Sequence, residues 1–185
     1  MRKSRQEATE TRKRIVNVAA HEFNKSGIDR TGVADVMTAA GLTTGGFYKH
    51  FSSKDQLIAE ALAGALQNSL NSVESKRGGD LGAIAAGYLS RKHRDSLESS
   101  CPLPSVGSEL RVAENGTRRA ISEGIERFIS IIEACFPDLP PREAKPKARA
   151  ILSAMVGALM LSRIVTDPKL SDRLLSDTKD FVTHI

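Results

Sequence analysis

Ile15, Val18, Ala19 and Phe23 stand at i, i+3, i+4 and i+8, which puts them on one face of a helix from about Thr9 to Ser26. The same spacing returns in segment after segment to the C-terminus. Nowhere do apolar and polar residues alternate as they do in a half-buried strand, and neither a repeat nor a low-complexity tract interrupts the pattern. An all-α fold of about nine helices is therefore expected. With 185 residues, 40% of them hydrophobic and 26% charged, the chain can bury a real core and does not have the composition of a disordered one.

Stop and start signals divide the helical pattern. Gly27 ends the first segment, and Thr31 is placed to cap a short second helix carrying Val33, Val36, Met37 and Ala40. Gly41 then supplies the left-handed residue that closes it. Thr43 caps a third helix over about Thr44 to His50, and Ser53 with Gln56 forms a capping box for a fourth, through Leu57 to beyond Val73. Lys76-Arg77-Gly78-Gly79 reads as a linker, with a hinge near 78. Asp80 caps a fifth helix, a loop or short helix follows through Cys101 to Pro104, and Asn115 opens a helix with Ile121, Ile125, Phe128, Ile132 and Cys135 in register. A helix from Lys147 to Val165 is apolar almost all round, and Asp167-Pro168 opens the last one.

Charge is distributed unevenly. Residues 1–54 hold ten basic and five acidic side chains, whereas residues 55–185 balance 17 against 17, so the whole +5 sits at the N-terminal end. Such a segment suits a polyanion or a solvated basic tail. Two short helices joined by a tight glycine turn, Thr31–Ala40 and Thr44–His50, make a helix-turn-helix, whose second helix enters the major groove of DNA. Phe47 and Phe51 should pack inward, leaving Tyr48 and Lys49 outward for phosphate. Gly45 and Gly46 cost that helix about 1 kcal/mol each, which close approach to DNA could offset.

The run Thr31 to Asp55 resembles the DNA-binding domain of the TetR family of transcriptional regulators. The Ala40-Gly41 turn, the stretch Gly45-Gly46-Phe47-Tyr48-Lys49-His50-Phe51, and Ser53-Lys54-Asp55 carry the match, over about residues 10–62. Gly46 departs from the pattern, where the family often has Ser or Thr. The resemblance implies a helix-turn-helix domain at 1–54 and a helical ligand-binding and dimerisation domain at 55–185. It also implies a homodimeric repressor of double-stranded operator DNA, released when a small-molecule inducer binds the C-terminal domain. By the same mapping Thr31, Thr43, Thr44, Gly45, Tyr48, Lys49, His50 and Lys54 meet DNA, with Lys54 on a phosphate, while Arg2, Lys3 and Arg5 form an arm or a disordered tail.

A dimer is needed because such repressors read two half-sites. Ala150, Ala154, Ala158 and Ser162 form an i, i+4 row of small residues, and Leu170, Leu174 and Phe181 offer a matching surface; the row also suits the protein's own core. An aliphatic ligand pocket is expected among Tyr88, Leu89, Cys101, Phe128, Ile132, Met155 and Leu159, each of which serves equally as core.

Cys101, with basic residues at 91–94 a few positions before it, reads either as a buried, inert thiol or as a redox or electrophile sensor. Cys101 and Cys135 cannot frame a disulfide scaffold, which points to a reducing compartment. The four histidines are too scattered for a metal site, no catalytic motif is present, and neither enzyme activity nor a cofactor is expected. The N-terminus lacks the apolar run of a secretory signal. The longest uncharged stretch of the apolar C-terminal part, Ala150 to Ser162, is 13 residues against the roughly 20 that span a membrane. A soluble, cytoplasmic protein is expected.

Overall fold

The computed structural model describes residues 5–75, 80–97 and 100–185. All regular structure among them is helical: α1 (Arg5–Ser26), α2 (Val33–Ala39), a 3-10 helix η1 (Thr44–Lys49), α3 (Lys54–Ser75), α4 (Leu81–Tyr88), α5 (Arg91–Asp95), α6 (Leu103–Leu110), α7 (Asn115–Glu133), α8 (Pro141–Ile164) and α9 (Pro168–Thr183). The linker expected at 76–79 and the arm residues Arg2 and Lys3 lie outside the described residues. No helix among those described is long and apolar enough to cross a membrane.

Helix ends account for most differences from expectation. α1 starts at Arg5, four residues before Thr9, because its first turns are solvated and carry no apolar period to read. α5 is unexpected for the same reason: its sequence, Arg-Lys-His-Arg-Asp, has no apolar position at all, and the Ser90 hydroxyl caps it by accepting from His93 N–H. α8 begins at Pro141 rather than Lys147. Pro141 suits the first helical position, and Pro146 forgoes one backbone bond on an exposed side.

Other caps stand where the residues place them. Asp80 accepts from Gly82 N–H at 2.8 Å, and Asp167 from Lys169 N–H at 2.9 Å. Ser53 Oγ accepts from Gln56 N–H at 3.1 Å, but the return bond is made one residue earlier, from Ser52 N–H to Gln56 Oε1 at 2.7 Å.

α3, 22 residues and about 33 Å long, is the rod around which the molecule packs. Its first half buries Leu57, Ile58 and Ala61 against α1, and its second half buries Leu66 and Leu70 against α7. The closest approach is at Gly124, where an added Cβ would overlap Leu66 Cδ2 and stand 3.0 Å from its Cγ. α7 then packs on α8, and α8 on α9.

Candidate nucleic-acid interface and adjoining cleft

The helix-turn-helix is built from a short apolar core. Phe23, Met37 and Phe47 are fully buried and Phe51 nearly so, with the Phe47 and Phe51 rings stacked at 5.4 Å. α2 closes in a Schellman motif: Leu42 N–H donates to Met37 C=O at 2.8 Å and Gly41 N–H to Thr38 C=O at 2.9 Å. Gly41 takes φ +68°, which a side chain would strain. This turn projects η1 from the surface as a 3-10 rather than an α-helix. Thr43 stands at its N-cap without a side-chain hydrogen bond, contrary to the expected cap.

Thr43, Thr44, Gly45, Tyr48 and Lys49 are exposed together on η1, and the Tyr48 ring, 76% exposed, stands edge-on to Phe47. A phenol held out in water by a buried aromatic neighbour is placed for contact, not for the core. A Cβ on Gly45 would meet nothing within 4 Å, and one on Gly46 only ordinary contacts with Met37 and Thr43, so neither glycine is required by the protein's own packing.

Three expected contact residues are less exposed than the set on η1. Thr31 is buried and neither caps α2 nor faces solvent: its hydroxyl donates to Gly27 C=O at 2.7 Å, and Gly32 is the N-cap, its N–H donating to Asp35 Oδ2 at 2.8 Å. Lys54 is half-buried, and its ammonium donates to Ile28 C=O at 2.9 Å, in the α1–α2 turn. His50 is half-buried, its carbonyl accepting from Arg12 Nε at 3.2 Å.

Arg12 makes a set of structural contacts that sequence reasoning does not find. From α1 its guanidinium pairs with both oxygens of Glu60 on α3, at 2.5 and 2.6 Å, and lies 4.5 Å from the centroid of the Phe51 ring. The hydrogen bond from Arg12, more than the remaining charge effect, holds the Glu60 carboxyl below its usual range. One side chain thereby ties the end of η1 to the rod. Its signal in the sequence is nil, since the partners lie 38 and 48 residues away.

The residues expected to line a pocket divide. Leu89, Phe128, Ile132, Met155 and Leu159 are core. Tyr88 and Cys101 instead line a cleft of about 640 Å³ between α1, α3 and the α4–α5 segment, together with Val16, Asn24, Ala65 and Ser69. The lining of this cleft is not aliphatic: amides, hydroxyls and His93 share the walls with small apolar residues. His93 is fixed by two backbone groups, Nδ1 against Tyr88 C=O at 2.7 Å and Nε2 accepting from Cys101 N–H at 3.1 Å, which specifies the neutral ring protonated on Nδ1.

Cys101 is buried, and that burial pushes its thiol above the ordinary value. Two of the basic residues expected to activate it are engaged elsewhere. Arg91 and Arg94 pair with Asp172 on α9, at 2.5 and 2.9 Å. Arg163 of α8 donates to the His93 and Arg94 carbonyls that α5 leaves unpaired at its end. Desolvation outweighs the favourable charge of Arg163, so in this state the thiol is not activated. Among the described residues no group of His, Cys, Asp and Glu could hold a metal ion.

On the outer face, the row of small residues splits. Ala150 is exposed and Ala154 half-buried, but Ala158 and Ser162 are buried against α9, with Ser171 Oγ donating to Ser162 C=O at 2.6 Å. An i, i+4 row advances about 40° around the helix per step, so one that starts outward ends inward. The outward stripe instead follows Ala150, Ser153, Gly157, Leu161 and Ile164, and continues on α9 at Leu170 and Phe181.

The sequence model of the bacterial regulatory proteins, tetR family, matches residues 15–61, the segment that builds this interface. The likeness to that family is therefore carried by the helix-turn-helix segment. Over 59 residues, 32% of this chain and 27% of the relative, it is 42% identical to the HTH-type transcriptional regulator AcrR of Shigella flexneri. To the HTH-type transcriptional regulator TtgR of Pseudomonas putida it is 40% identical over 62 residues, 34% of this chain and 30% of that one. These matches thus span less than a third of the relatives' length. Among solved structures, a TetR transcriptional regulator from Chloroflexus aurantiacus J-10-FL superposes with a TM-score of 0.81 at 26% identity, covering 97% of both chains. E. coli NemR in its reduced form shares the fold, with a TM-score of 0.78 at 18% identity over 95% of this chain and 96% of NemR. The fold likeness thus runs through both halves, while the close sequence likeness stays with the helix-turn-helix.

Proposed function

We propose that this protein is a sequence-specific, DNA-binding transcriptional regulator, a repressor that leaves its operator when a small molecule binds, and not an enzyme. The observation that carries the reading is the exposed set Thr43, Thr44, Gly45, Tyr48 and Lys49, held on η1 by a buried aromatic core. Base edges and phosphates are met by such side chains and by backbone N–H groups. Division at residue 54 gives a DNA-binding half, 1–54, and a regulatory half, 55–185, with α3 as the connection between them.

The repressor acts as a homodimer. Operator half-sites lie about 34–36 Å apart, and one chain carries one recognition element. The apolar stripe of α8 and α9, with Leu161 at 45%, Ile164 at 65% and Phe181 at 62% exposure, supports a seam in which two helices from each protomer pack together.

An operator selected from a random duplex library provides the test. Affinity should fall steeply between about 50 and roughly 200 mM salt, as counterion release requires. Tyr48→Ala with Lys49→Ala should weaken binding at least tenfold while the melting temperature stays put. Binding that ignores both salt and the double substitution sinks the assignment.

A further inference from the structure

The cleft between α1, α3 and the α4–α5 segment has the size of a small-molecule site, about 640 Å³. Two of its wall residues, Asn24 at 6% and Tyr88 at 3% exposure, each carry a polar atom without a hydrogen-bond partner: Asn24 Oδ1 and the Tyr88 hydroxyl. Asn24 Nδ2 donates to Ser100 C=O at 3.0 Å, which leaves the oxygen over. The polar neighbour of the Tyr88 hydroxyl is the Cys101 thiol, a weak sulfur partner, and burial keeps the phenol neutral. Folded chains rarely leave such groups unpaired, and two in one cleft mark a place where a bound molecule completes the bonding.

We propose that this cleft is the effector site, and that its effector is an amphipathic hydroxylated molecule, neutral or anionic, whose hydroxyl engages Asn24 and Tyr88. An apolar body fits against Val16, Ala65 and Ile84. The described lining contains no carboxylate, while Lys92 and His21 stand exposed at its rim, an arrangement that disfavours a cation.

Both unpartnered atoms are closed off from water in this state. A molecule that reaches them must part α1 from the segment between α4 and α6. That seam is held by Asn24 on Ser100 and, farther along, by Glu109 of α6, whose Oε2 accepts from Asp29 N–H at 2.9 Å in the turn before α2. Entry of the effector therefore displaces the DNA-binding half directly, and an effector that binds the parted state better shifts the population toward it. The proposal deepens the regulatory reading and rests on it only for the effect on DNA.

The test titrates the full chain, free of DNA, with 4-hydroxybenzoate, benzoate and 4-hydroxybenzylamine by nitrogen-15 NMR. 4-Hydroxybenzoate should bind saturably and at least tenfold more tightly than the other two, shifting the Asn24 side-chain amide. Tyr88→Phe should reduce its affinity to that of benzoate while melting no lower than wild type, because the substitution removes an unpaired buried hydroxyl. A merely structural tyrosine would instead lower the melting point and leave the ranking of the three probes unchanged. Gly64→Leu, at a position where an added Cβ meets nothing within 4 Å, fills the cleft and should abolish binding.

Equal affinity for the three probes, no saturable binding, or full binding by both variants overturns the site. Operator binding, followed separately by fluorescence anisotropy, should weaken when 4-hydroxybenzoate is added. A protein that binds the probe but holds its operator unchanged overturns the coupling. A ligand-free protein that holds no duplex overturns the regulatory reading alone, since the cleft is judged by the NMR titration.

Discussion

Gly45 shows how a single residue can be read against its own stability. It sits in a helix, at a negative φ, with open space where a Cβ would go. Gly45→Ala should therefore raise the stability of the free protein by about 0.4–1 kcal/mol, through the unfolded state. If the backbone there approaches DNA closely, the same change should lower operator affinity; calorimetric melting and an operator titration on one sample check both signs. Glu60 carries a different dependence. Its carboxyl is held down chiefly by its hydrogen bonds from Arg12, so the pair's stabilisation is complete above the usual glutamate range and is lost as pH falls through the depressed value. Wild type should melt above Glu60→Gln at neutral pH, and the gap should close in acid. A gap that stays constant down the titration contradicts the role given to the pair.

Among elements, α3 and α7 set the tightest tolerance. Leu66 is 1% exposed, and its Cγ stands 3.0 Å from where a Cβ on Gly124 would be, with Cδ2 closer still. Gly124→Ala gains helix propensity yet overpacks this crossing, and should destabilise by about 1–3 kcal/mol, read as a lower denaturant midpoint at unchanged slope. A midpoint equal to or above wild type shows that Leu66 can yield. Element existence is legible in the sequence wherever an apolar period runs longer than two turns: α1, α3, α7, α8 and α9 all lie where their spacing puts them. α5 is not legible, because five polar residues become a helix only through the Ser90 cap and the Arg163 and Asp172 contacts from distant helices.

At the scale of the whole molecule, the proposed dimer would turn one recognition element into two. Ile164→Glu with Phe181→Glu places charge in the exposed stripe of α8 and α9 without touching the core. The double variant should sediment as a monomer and lose about 100-fold in operator affinity, the order expected when a bivalent attachment becomes monovalent. A dimer that survives both charges places the seam elsewhere. The pocket residues show the limit of one-dimensional reading at this scale. Tyr88 and Cys101 do reach a cleft, yet Phe128, Ile132, Met155 and Leu159 do not, because apolar spacing marks a buried face without saying whether protein or ligand buries it.

Local rules are enough for the helical class, the glycine-closed turn at Gly41 and the basic end of the chain, since propensity, capping and charge are properties of neighbours in sequence. Residue spacing also suffices to put Phe47 inward and Tyr48 outward, because neighbours along a helix point in different directions whatever surrounds it. The fates of Thr31, Lys54 and Arg12 come from folding. Each carries a polar group whose partner lies on another element or around a turn, at Gly27, Ile28 and Glu60, and buried or half-buried polar groups take the nearest partner the packing supplies. The cleft, with Asn24 and Tyr88 left over in its walls, has the same origin: it exists only where α1, α3 and the α4–α5 segment fail to fill the space between them.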